Sequence, residues 1–152
     1  MEKVHYKAED FEIDGALRDI CIFDTSVRDW ELLIAALSRS GWEMRFRLTL
    51  PEGEAEVLED VSELFDRLAV DGEISAAMSV RVGEVVFSSY FFDPERVEFT
   101  FNPRDVRGEV SFGSLEKFMT WLGGVTGKRV VMTMESVDQR LLPPLLEYLP
   151  TQ

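Results

Sequence analysis

Residues 73–102 read EISAAMSVRVGEVVFSSYFFDPERVEFTFN, from Glu73 to Asn102. Ile74, Ala76, Met78, Val80 and Val82 alternate with Ser75, Ala77, Ser79 and Arg81. That period of two belongs to a strand with one buried face. Gly83-Glu84 fits a two-residue hairpin loop whose first position needs a positive φ. The following run, Val85 to Phe92, is apolar on both sides, which places it as an inner strand flanked by two neighbours. Asp93-Pro94-Glu95-Arg96 suits a type I turn, with proline presetting φ at its second position. Val97, Phe99 and Phe101 then alternate with Glu98, Thr100 and Asn102 before Pro103 ends the third strand.

Upstream of this meander, Trp42, Met44, Phe46, Leu48 and Leu50 give a second alternating strand, with Glu43, Arg45, Arg47 and Thr49 outward. A shorter apolar strand runs from Arg18 to Asp24, and Phe11-Glu12-Ile13 suits a brief edge strand. Ser26, with Asp29 three residues on, has the pattern of a capped helix start. Val27, Trp30, Leu33, Ile34 and Leu37 share one face of that helix, and Gly41 closes it. A second helix is expected over about 55–69, with Val57, Val61, Leu64, Phe65 and Leu68 inward. Downstream, Ser114 suits the cap of a third helix ended by Gly123-Gly124, and Arg129 to Met134 forms a further strand. The tail, 136–152, is leucine-rich and interrupted by Pro143-Pro144, which suggests two short helical pieces.

These elements predict an α+β fold: a two-layer sandwich with a mainly antiparallel sheet, a central three-stranded meander at about 74–102, and three amphipathic helices on one face. The expected organisation is a single domain over 1–152, with 1–15 a loose N-terminus.

A net charge of -13 argues against recognition of nucleic-acid phosphates, which needs a basic surface, and is compatible with a basic partner. The plainer account is that the charge keeps a bacterial-type domain in solution. One cysteine excludes an internal disulfide framework and a cysteine-based zinc site. No run is apolar enough to span a membrane or to serve as a signal peptide, so a cytoplasmic location without membrane contact is expected. The lone histidine, His5, lies in the N-terminal segment and offers no catalytic triad. No cofactor is expected.

Four stretches could carry function. Between Glu52 and Asp66 there are seven carboxylates and no basic residue. On the expected second helix Glu56, Glu59, Asp60 and Glu63 would share one face at i, i+3, i+4, i+7 spacing and could steer a cationic partner. The alternative is a merely solvated face. Arg45, Arg47 and Arg81 occupy outward strand positions and could form a small anion-binding spot, or pair across strands with Glu43 or Glu98. Leu141, Leu142, Leu145, Leu146, Tyr148 and Leu149 could dock on a second copy, making a homodimer, or cover the chain's own core.

The fourth is Ile20-Cys21-Ile22-Phe23-Asp24-Thr25-Ser26, which resembles the opening signature of PIN-domain nucleases, an apolar strand ending in Asp-Thr-Ser or Asp-Thr-Asn. The resemblance implies that Asp24 is a Mg²⁺ or Mn²⁺ ligand, with Thr25 or Ser26 as helper, in a metal-dependent hydrolase. It also implies a helix-rich, mainly parallel architecture, unlike the meander. The same three residues could simply turn the chain into a capped helix. The leading expectation is a non-enzymatic acidic protein-binding domain, an inhibitor or immunity-type neutraliser or an adaptor, contacting a basic protein through Glu56, Glu59, Asp60 and Glu63.

Overall fold

The computed structural model describes residues 5–58, 60–135 and 143–150. Its described residues form eight strands, β1 (Arg18–Phe23), β2 (Glu43–Leu50), β3 (Gly53–Ala55), β4 (Ser75–Val82), β5 (Val85–Ser89), β6 (Arg96–Phe101), β7 (Val130–Met134) and β8 (Leu146–Tyr148). Three helices accompany them: α1 (Val27–Arg39), α2 (Val61–Val70) and α3 (Glu109–Thr126). All strands join one antiparallel sheet in the order β3-β2-β4-β5-β6-β1-β7-β8. The expected meander is therefore its centre, β4-β5-β6.

Alternation decides which side chains meet the helices. Met78, Val80, Val82, Val85, Phe87, Val97, Phe99, Ile20, Ile22, Val130 and Met132 are buried on one face. They pack in one core with Trp30, Leu33 and Leu37 of α1, Val61, Leu64 and Phe65 of α2, and Leu115, Phe118, Met119 and Leu122 of α3. Phe118 stacks on Phe87 at 4.1 Å and meets Phe99 edge-on at 5.1 Å, fixing α3 over the meander. The other face is exposed or half-buried at Arg45, Ser79, Arg81, Val86, Ser88 and Thr100. Around β1 and β7 that outer face closes: Asp19, Cys21, Val131 and Thr133 are all buried.

Gly83 turns β4 into β5 at φ 60, with Val82 opposite Val85, as the two-residue loop requires. A Cβ there would meet the Ser114 hydroxyl of α3 at 2.5 Å, so turn and helix lie close together at this point.

β5 stops at Ser89, short of Phe92, because Phe91 adopts φ 56 and leaves the ladder. This conformation costs a bulky side chain roughly 1–2 kcal/mol. Burial of the Phe91 ring against Trp30 (5.1 Å), Phe46 (5.8 Å) and Phe65 (6.0 Å) offsets it by up to about 3 kcal/mol. Tyr90 and Phe92 are left exposed, stacked on each other at 5.7 Å.

Other expectations need correction. Residues 8–11 form a turn of 3-10 helix rather than an edge strand. α3 begins after Gly108, not Ser114, and continues through Gly123 and Gly124 to a left-handed cap at Gly127 (φ 69). Gly123 is buried inside the helix, so it does not mark the helix's end. In the tail, Leu146–Tyr148 is a strand and not a helix; Leu141 and Leu142 lie outside the described residues.

Candidate functional site

The acidic stretch is not one helix. Leu50 pairs with Gly53 and Leu48 with Ala55, so Pro51-Glu52 forms a tight hairpin and the chain first returns as β3. Three residues of β3 are too few to display a period of two. α2 then starts at Val61, with Asp60 as its cap: the Asp60 Oδ1 accepts from the Glu63 N–H at 3.1 Å. The i, i+3, i+4, i+7 helical face expected for Glu56, Glu59, Asp60 and Glu63 thus does not exist. Glu59 lies outside the described residues.

The hairpin and α2 nevertheless bring Glu56, Asp60 and Glu63 to a common groove. It measures about 330 Å³ and is lined by Phe46, Leu48 and Leu50 from β2, Ala55 from β3, and Glu56, Val57 and Leu58 from the connecting segment. Asp60, Glu63, Leu64 and Arg67 complete it. Strand alternation turns Phe46, Leu48 and Leu50 to one side, so the hairpin supplies an apolar floor. Val57 is 70% exposed at its margin. The carboxylates differ in what the fold asks of them. Asp60 is engaged as the helix cap, and Glu63 stands in the first turn of α2, where negative charge is favoured by the helix dipole. Glu56 is exposed and has no hydrogen bond or ion pair among the described residues.

The three arginines share the outer face of β2 and β4 as expected from their register. Arg81 stands opposite Glu43, Arg45 opposite Ser79 and Arg47 opposite Ala77. A hollow of about 250 Å³ is lined by Glu43, Arg45, Ser79, Arg81 and Val86. Carboxylates interleave with the bases: Arg45 Nη2 lies 3.3 Å from Glu43 Oε1, and Arg47 Nε lies 3.8 Å from Glu54 Oε2. Such exposed pairs are worth roughly 0–1 kcal/mol, so they blunt the positive spot without locking it.

Asp24 ends β1 at φ 56, a conformation aspartate tolerates better than most residues, and its side chain is exposed. Its carbonyl oxygen accepts from Lys128 Nζ at 2.7 Å, and the same ammonium is 3.8 Å from Asp29 Oδ2. Thr25 is buried; its hydroxyl donates to the Pro94 carbonyl at 2.8 Å and its N–H to the Glu95 carbonyl at 3.1 Å. The Ser26 N–H donates to Asp29 Oδ2 at 3.0 Å. The motif residues serve the β1–α1 turn and its junction with the β5–β6 turn. Among the described residues no group of three or more His, Cys, Asp or Glu side chains could hold a metal ion. With a lysine ammonium in place beside Asp29, the described residues here do not fit a divalent cation.

Leu146 and Tyr148, from the proposed dimer segment, are buried in the chain's own core, while Leu149 is exposed. No described helix is long and apolar enough to cross a membrane. In comparisons with known proteins, no family model, no curated protein and no solved structure matches this chain.

Proposed function

We propose that this protein acts by binding a basic protein partner, as an inhibitor, neutraliser or adaptor, with the groove between the β2–β3 hairpin and α2 as the contact. The observation that carries this reading is the convergence of Glu56, Asp60 and Glu63 on an apolar-floored groove whose one base among the described residues is Arg67. A chain of net charge -13 supplies a long-range field that draws a cationic surface toward it, and an apolar floor gives the encounter something to bury. A cytoplasmic setting suits a lone thiol, Cys21, held inside the fold.

The test is titration with an arginine-rich peptide at low and high salt. The wild type is expected to bind with an affinity that falls steeply as salt rises. Glu56→Lys with Glu63→Lys should weaken binding on the order of tenfold or more, and an equal charge change at Glu31→Lys with Glu84→Lys should not. Asp60 is left intact because it caps α2. Equal losses in both variants would reduce the effect to net charge and remove the groove from the account.

A further inference from the structure

We propose that the groove recognises one bulky apolar side chain flanked by arginine or lysine, so that the partner presents a short basic-apolar segment rather than a uniformly charged surface. This rests on the reading of the groove as a protein-binding site. Phe46, Leu48, Leu50, Leu58 and Leu64 give the groove an apolar lining, to which nothing in a purely cationic ligand corresponds. Val57 stands mostly exposed at its margin, apolar surface that a seated ligand would cover. The volume, about 330 Å³, lies at the small end of ligand sites and suits a single large side chain, the kind of anchor that dominates protein interfaces. The carboxylates of Glu56 and Glu63 stand beside that floor, so cations must flank the anchor and not occupy its place. A second copy of this chain fits poorly, because two such rims would bring like charges together.

Three amidated peptides test this by calorimetric titration of the full chain: tryptophan between paired arginines, alanine between paired arginines, and tryptophan between paired glutamates. The first should bind at least tenfold more tightly than the second, in proportion to the apolar area buried, and the third should not bind. That advantage should disappear in Leu50→Thr and shrink in Val57→Ser, whose exposed position leaves folding intact. Equal binding of the two arginine peptides would overturn the anchor while leaving the charge reading standing. Tight binding of the glutamate peptide, binding of none of the three, or a dimer that Val57→Ser dissolves would overturn both.

Discussion

The Cys21 thiol sits on the outer side of β1, opposite Glu98 on β6 and Val131 on β7, and is fully buried. Burial pushes its pKa from 9.0 up to about 12, and the negative charges of Glu98 and Asp19 add to that shift. A thiol so placed is neutral and shielded at physiological pH, so it is no nucleophile. Iodoacetamide at pH 8 should modify the folded protein only at the rate of its unfolding, while the urea-unfolded chain reacts at once. The sign of the pH effect follows from the raised value: the folded state holds the proton more tightly. This contribution to stability is complete below about pH 9 and is lost as pH rises toward 12. Rapid labelling of the native protein would show that the strand opens locally. The apolar setting of this residue was legible in Ile20-Cys21-Ile22-Phe23. The left-handed conformation of Phe91 was not, because alternation alone reads Tyr90-Phe91-Phe92 as more strand. Only the pocket offered by Trp30, Phe46 and Phe65, three separate elements, explains it.

Among the elements, the segment ahead of β1 is held by the side chain of that strand's own first residue, Arg18. Arg18 is 1% exposed, and its guanidinium donates to the carbonyls of Asp10 (2.9 Å), Glu12 (3.1 Å), Ala16 (3.2 Å) and Leu17 (3.3 Å). Its Nη1 also lies 3.5 Å from Asp14 Oδ1. Tyr6 and Phe11 follow onto Phe112 of α3 at 5.8 and 6.1 Å. Arg18→Met keeps the stem but strands these acceptors, and should cost roughly 3 kcal/mol. Urea denaturation checks it; a change below about 0.5 kcal/mol, the scale of an ordinary surface substitution, would mean that the segment is not anchored there. Strands with a clean alternation, β2, β4 and β6, were legible nearly to the residue. α2 starts later than the apolar spacing over about 55–69 predicts, because the acidic residues ahead of it give no sign of the β2–β3 hairpin. The pattern Asp60-Val61-Ser62-Glu63, a capping signature, marks the true start. Gly123-Gly124 suggests termination, yet α3 runs through both glycines to its left-handed cap at Gly127.

For the molecule as a whole, composition and periodicity carried the two-layer architecture, but not the insertion of β1 between β6 and β7. That pairing joins residues far apart in the chain, Ile20 to Phe99 and to Met132, and no local pattern encodes it. The groove has the same character: β2, β3 and α2 assemble it from both ends of the acidic run, so the residue types were visible while the cavity was not. The decisive measurement is a backbone amide chemical-shift map during titration with the tryptophan–arginine peptide. Shifts are expected to concentrate at Phe46–Leu50, Ala55–Leu58 and Asp60–Arg67, leaving Arg45, Ser79 and Arg81 on the outer sheet face unmoved by comparison. Shifts centred on that outer face, or spread evenly over the acidic surface, would contradict the groove as the seat of function.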